Sequence, residues 1–109
     1  MKLEFQSQRM EKQCETDRSR SKAFGAQRAK LLKKRLSALV AASNLEELRN
    51  APGRLHTLKG DRAGQLSLDL DGPYRLIFEP VASAALSESS TPWCQITHIR
   101  IISIEDTHD

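Results

Sequence analysis

Three stretches of this chain carry side chains able to move protons and steady a phosphate. Arg54, His56, Lys59, Asp61 and Arg62 crowd one short segment, Arg75 follows alone, and Glu105-Asp106-Thr107-His108 completes the set. Together they suit one reaction. RNA breaks when its own 2′-hydroxyl attacks the adjacent phosphate. That needs a base for the hydroxyl, an acid for the departing 5′-oxygen, and cations for the extra negative charge. Histidine, with an unperturbed pKa of about 6.5, serves in either proton role near neutrality. His56 and His108 are therefore candidates for proton transfer, and Lys59 and Arg75 for stabilising charge, usually the largest single contribution. Asp106 is a candidate for orienting or charging an imidazole. The scheme calls for no metal and no cofactor.

Each of these side chains also has a plainer role. His56 reads equally well as a surface residue, and His108 as part of a disordered end. Arg75, within a strand, is as well suited to pairing across a sheet with Asp69. His98 lies in an isoleucine-rich run and reads as a packed or paired histidine, so it is not a candidate. Other chemistries find no motif: there is no Gly-rich phosphate loop, GxSxG elbow or HExxH pair. Cys14 and Cys94 have neither CxxC nor Cys/His ligand spacing, which argues against structural zinc.

The elements that must position these groups change in period halfway along. Residues 3–5 alternate as a short strand, and residues 8–17 read as a polar helix with Met10 and Cys14 on one face. Residues 18–25 read as a connection ending at Gly25. Over residues 25–42, Ala29, Leu32, Leu36, Leu39 and Val40 recur at spacings of three and four, which predicts an amphipathic helix. Asn44 with Glu47 forms a capping box for a short helix to about Arg49, ended by Pro52-Gly53. Thereafter the period becomes two. Leu66, Leu68 and Leu70 oppose Ser67 and Asp69, Asp71-Gly72-Pro73 turns the chain, and Tyr74, Leu76 and Phe78 oppose Arg75, Ile77 and Glu79. Residues 81–92 are small and polar and read as a mobile loop. Residues 95–104 form a last, central strand. The order is β-α-α-β-β-β, which predicts an α+β fold with helices packed on one face of a small, mainly antiparallel sheet. In such a meander the segment before one strand nears the end of the strand two steps later. His56–Lys59 and Asp106–His108 are thus expected to converge, with Arg75 between them.

A chain of 109 residues supports a single domain spanning residues 1–109. Its 39% hydrophobic content excludes a disordered tail, and its 5% aromatic content leaves the packing to aliphatic side chains. Residues 1–6 have no apolar stretch of signal-peptide length, and no run approaches the ~20 apolar residues that span a membrane. The expected location is cytoplasmic, without membrane contact. Charge is uneven: residues 1–50 hold twelve Lys/Arg against six Asp/Glu, and residues 51–109 five against eight. Residues 18–35 contain eight basic side chains and no acid. Such a block suits a polyanion, because binding releases condensed counterions. It equally suits a solvated helix face or an acidic protein partner.

The motifs, taken in order, resemble a known family. Leu55-His56-Thr57-Leu58-Lys59-Gly60-Asp61-Arg62-Ala63-Gly64, then Ser67, Asp71-Gly72, Tyr74-Arg75-Leu76-Ile77-Phe78 and Glu105-Asp106-Thr107-His108 resemble HigB toxins, with their LHxLKGDxxG run and terminal EDYH. The resemblance covers residues 45–109 in order and spacing, and the earlier half in pattern alone. It implies a RelE/ParE-superfamily fold and a ribosome-dependent endoribonuclease that cuts mRNA in the A site. It also implies a neutralising antitoxin of helix-turn-helix, HigA-like type, through which alone the protein would touch DNA. His56, Lys59, Arg75, Asp106 and His108 match family active-site positions. Arg28, Lys30, Lys33, Lys34, Arg54 and Arg62 would then grip RNA or the ribosome through phosphates. Two features depart from the pattern. Thr107 replaces the family tyrosine and so lacks a face for base stacking, worth about 1–3 kcal/mol, and residues 81–92 lengthen a hairpin that is short in typical members. Two other readings stand beside the nuclease: a relative that binds RNA or antitoxin without cutting, and a ParE-like gyrase poison. The paired histidines argue against the last.

Overall fold

The computed structural model describes residues 1–81 and 91–107. The chain runs through β1 (Lys2–Phe5), α1 (Gln8–Glu15), α2 (Asp17–Phe24), α3 (Ala26–Ala41), a 3-10 helix at Leu45–Asn50, β2 (His56–Thr57) and a 3-10 turn at Gly60–Arg62. It continues through β3 (Leu66–Asp69), β4 (Tyr74–Pro80), a 3-10 turn at Trp93–Gln95, and β5 (His98–Asp106). The five strands form one sheet in the order β1-β5-β4-β3-β2. β2 through β5 are antiparallel neighbours, and β1 joins β5 in parallel. The architecture is the expected α+β, with a mainly antiparallel sheet.

The leucine stripe of α3 makes the core. Leu32, Leu36 and Leu39 are buried against Leu66, Leu68, Leu76 and Phe78 from the hairpin and Ile99 and Ile101 from β5. Leu45 and Leu48 close its end, where the Asn44 side chain accepts the Glu47 amide at 3.3 Å. The Glu47 carboxylate accepts from Ser43 instead of Asn44, so the box is shifted by one residue. Val40 keeps the azimuth of the stripe, about 40° from Leu36 on the helix, yet is 58% exposed, because it borders an open pocket lined also by Leu3, Phe5, Cys14 and Leu36.

Two elements differ from expectation. Residues 18–25 are largely helical, forming α2. Thr16 and Ser19 form a reciprocal capping box at its start. Arg20, almost wholly buried, donates to the Cys14 carbonyl at 2.6 Å and pairs with Asp17. A helix made mostly of Ser, Arg and Lys has no apolar period to betray it; its cap and one folded-back guanidinium hold it. The second is β2, two residues long and invisible to any periodicity.

The sheet is also less one-sided than alternation suggests. Ser67 and Ile77, on the face away from α3, are as buried as the core. The 58–65 segment covers them: Arg62, from the turn after edge strand β2, reaches Glu105 on β5. Among the described residues no helix is long and apolar enough to cross a membrane. Most of the 81–92 loop, and His108, lie outside the described residues.

Candidate active site

The register of the sheet assigns the polar residues to rows on the face opposite α3. One row runs His56, Ser67, Ile77, Ser103 across β2, β3, β4 and β5. The next, at the rim where β3 ends and β4 begins, runs Asp69, Arg75, Glu105. A third, at the other end, aligns Glu79 with Arg100 and Arg100 with Glu4.

A β-bulge creates this arrangement. Ile77 pairs with Ser103 but Phe78 pairs with Ile101, leaving Ile102 as an extra residue. One extra residue turns every later side chain to the opposite face. Without it, Ser103 and Glu105 would follow Ile99 and Ile101 into the core. With it, Glu105 stands across from Arg75, and Asp106 stands across from Tyr74 on the alternate face.

The rim is a network of paired charges. Asp69 receives Arg75 Nε at 3.2 Å and Arg54 Nε at 2.6 Å. Arg54, 73% exposed, has φ of +47°, the only positive φ of a non-glycine among the described residues. Such left-handed backbone costs about 1–2 kcal/mol, offset here by the bond to Asp69. Glu105 is gripped by both terminal nitrogens of Arg62, one at 3.1 Å, and also accepts from Ser103. The Arg62 guanidinium, helped by the Ser103 hydroxyl, holds the Glu105 carboxyl below the usual range against the opposing effect of burial. The same bond raises Arg62. At the far end, Arg100 bridges Glu4 at 2.8 Å and Glu79 at 3.0 Å, and His98 meets Glu4 at 2.8 Å, the paired role expected of that histidine.

The candidate side chains fall out as follows. Arg75 lies on the open face at the rim, in its anticipated cross-strand pair with Asp69. His56 lies on the same face one row inward, two strand steps from β4, or about 10 Å. Its Nε2 is sealed from solvent with no hydrogen-bond partner. Lys59 is exposed just before the Gly60–Arg62 turn, and no ion pair engages it among the described residues. Asp106 is exposed at the end of β5, on the Tyr74 side. Thr107 donates backbone N–H and hydroxyl to the Pro73 carbonyl at 3.0 and 3.3 Å, tying the strand end to the β3–β4 turn. His108 is outside the described residues, so its expected convergence with His56 has no coordinates behind it.

The basic helix divides into anchors and free charges. Arg28 makes a two-pronged pair with Asp71, at 2.9 and 3.2 Å, and lies 3.4 Å from the centre of the Tyr74 ring. It pins α3 to the β3–β4 turn. Lys33 pairs with Asp17 at 3.0 Å and, with Arg20, holds that carboxyl below its ordinary value. Lys30 and Lys34 are exposed and have no ion pair among the described residues. Sequence reasoning did not find Ser67 as a buried neighbour of His56, nor the Arg62–Glu105 pair. Forty-three residues separate the latter two, and no local pattern links them. Among the described residues no cluster of three or more potential metal ligands occurs.

The fold has known counterparts. It is similar to a YoeB/ParE toxin from Agrobacterium tumefaciens, with a TM-score of 0.62 and 15% identity over 99% of this chain and 100% of the other. It is also similar to the YoeB-YefM complex from Staphylococcus aureus, with a TM-score of 0.59 and 16% identity over 96% of this chain and 94% of the other. No curated protein sequence matches the chain. The family model described as the RelE-like toxin of type II toxin-antitoxin system HigB matches residues 3–88. With that match over most of its length, and with the RelE-type fold beneath it, the chain belongs to the HigB-like toxin family.

Proposed function

We propose that the protein is a metal-independent endoribonuclease that cuts mRNA on the ribosome and is silenced by a cognate antitoxin. The observation that carries this reading is that Arg75 and His56 share the sheet face opposite α3, with Lys59, which has no ion pair among the described residues, on the adjoining segment. A phosphate resting at the rim would meet Arg75, whose partner Asp69 keeps a second cation in Arg54. His56 would take the 2′-hydroxyl proton. The 2′-oxygen would then bond to phosphorus as the bond to the 5′-oxygen breaks, leaving a 2′,3′-cyclic phosphate. His108 would protonate the departing 5′-oxygen, and Asp106, two residues earlier, would orient or charge that imidazole. Lys59 and Arg75 would stabilise the charge that grows on the phosphate between these transfers.

Dependence on the ribosome fits a chain with 5% aromatic residues, which has little surface on which to stack a free single strand. Lys30 and Lys34, with Lys33 beside them, would dock on ribosomal RNA through phosphates, and Arg54 and Arg62 would extend that contact at the rim. The protein would act in the cytoplasm, where ribosomes are. The partner follows from the family, whose description names a toxin-antitoxin system. A HigA-like helix-turn-helix protein would bind this chain and make any contact with DNA. One of the two similar structures is itself a complex, YoeB with YefM.

The test is controlled expression. Growth should arrest, message should be cut at ribosome-bound positions, and antitoxin should relieve both. Arg75→Ala should slow cutting severely and His108→Ala should abolish it. Intact message during arrest would overturn the nuclease assignment. Thr107 favours one second reading, a relative that binds without cutting, since its hydroxyl is turned to Pro73 and it offers no ring to a base. Harmless expression with retained antitoxin binding would support that alternative, and a supercoiling assay would expose a gyrase poison.

A further inference from the structure

His56 and Ser67 are direct partners in the β2–β3 pairing, so their Cβ atoms stand about 4.5–5.5 Å apart on the same face. Both carry a sealed, unpartnered polar atom: Nε2 of His56 and Oγ of Ser67. Ser67 has no exposed surface at all. Buried polar groups are nearly always satisfied, so two orphans facing each other across one strand pair call for an explanation.

The surroundings leave few other partners. On its far side Ser67 faces Ile77, which is apolar. The carboxylates on that face are engaged elsewhere: Asp69 with Arg54 and Arg75, Glu79 with Arg100, Glu105 with Arg62. Gln65, two residues along β3, gives its amide N–H to Glu79 at 3.4 Å, and its Oε1 is a third sealed atom without a partner. Residues two apart on a strand are separated by about 6.5–7 Å, further than the cross-strand pair.

We infer that Ser67 is a positioning residue for His56, its oxygen accepting the Nε2–H of the ring through one enclosed water. The bond holds the imidazole in a single tautomer and leaves the lone pair of Nδ1 for the substrate. A histidine that is to accept a proton must have its free nitrogen turned to the substrate, and the bond made by the other nitrogen decides which one that is. The sequence supplies the hydroxyl directly opposite His56 in the β2–β3 pairing. Without Ser67 the ring would divide between two tautomers, and only one of them could accept a proton through Nδ1. The catalytic consequence rests on the nuclease reading above; the bond itself does not, so the two can fail separately.

Long-range proton–nitrogen NMR of the full chain, uniformly labelled with nitrogen-15, reads this directly. His56 is assigned by the signal lost in His56→Gln. In the wild type, Nε2 should be protonated and Nδ1 bare in the neutral ring. In Ser67→Ala the nitrogens should shift toward a tautomer mixture. Ser67→Cys, whose sulfur is a weak acceptor, should move in the same direction and serves if Ser67→Ala does not fold. In a cleavage assay, Ser67→Ala should lower kcat while leaving KM nearly unchanged, because the ring's tautomer and not substrate binding is altered. Superimposable ring nitrogen shifts in wild type and variant would overturn the inference. A ring that behaves as expected in a wild type that cuts no RNA would leave the positioning bond standing and remove the nuclease.

Discussion

Arg62 and Glu105, forty-three residues apart in the chain, meet in a two-pronged pair that draws the 58–65 segment across the open face of the sheet. The pair spans the face on which Ser67 and Ile77 are buried. It links an exposed turn to the strand that faces Arg75, and so couples the stability of the rim to the placement of its cations.

That coupling gives a pH prediction with a definite sign. Glu105 is held below its ordinary value of 4.5 chiefly by Arg62. Its stabilising contribution is therefore complete above that value and is lost as the pH falls through the lower folded value. Both side chains are partly exposed, which limits the pair to about 1 kcal/mol or less. Thermal melts of wild type and Glu105→Gln should differ slightly at neutral pH and converge in acid. A gap that widens on acidification would contradict this.

Arg75→Ala should lower cleavage by about 100- to 1000-fold, the usual loss when one group that stabilises transition-state charge is removed. The fold should survive, since Asp69 keeps Arg54 as a partner. Single-turnover cleavage beside a melting curve separates the two effects. A large drop in melting temperature with cleavage preserved would assign Arg75 a structural role alone.

The basic residues of α3 should divide into two classes. Replacing Lys30 and Lys34 together by alanine should leave stability within about 0.5 kcal/mol. It should also reduce the salt dependence of ribosome binding by about one unit of logarithmic slope per lost phosphate contact. Arg28→Ala should instead destabilise the fold by about 1–3 kcal/mol, because it leaves partly buried Asp71 without its guanidinium and uncovers the Tyr74 ring. Urea titration and salt-dependent binding distinguish the classes.

The two cysteines should differ in reactivity. Burial pushes the Cys14 thiol up to about 11, while Cys94 is exposed. Only the thiolate is a good nucleophile. A thiol reagent at neutral pH should therefore modify Cys94 in the native protein and reach Cys14 only after denaturant is added. Equal rates at both positions would show that α1 opens readily from the sheet.

Much of the scaffold was legible because it is local. Leu32, Leu36 and Leu39 mark α3 by their spacing, and Leu66–Leu70 and Tyr74–Phe78 mark a hairpin about Gly72, whose φ of +54° suits the turn. The Arg75–Asp69 pair follows from the same alternation. α2 and β2 were illegible: the first is held by a cap and the buried Arg20, the second by pairing with β3, and neither leaves an apolar period.

By itself the sequence determined the α+β class, the family and the residue types gathered near the rim, since these depend on composition, period and motif order along the chain. The tertiary structure decided which of those residues share a face. The bulge at Ile102 sends Glu105 toward Arg75 and Asp106 to the other side, an outcome that strict alternation from Ile99 and Ile101 would reverse. A bulge is a property of two paired strands, as the Arg62–Glu105 bond is of two distant segments. Neither exists until the backbone of β4 lies against that of β5 and the hydrogen bonds between them set the register.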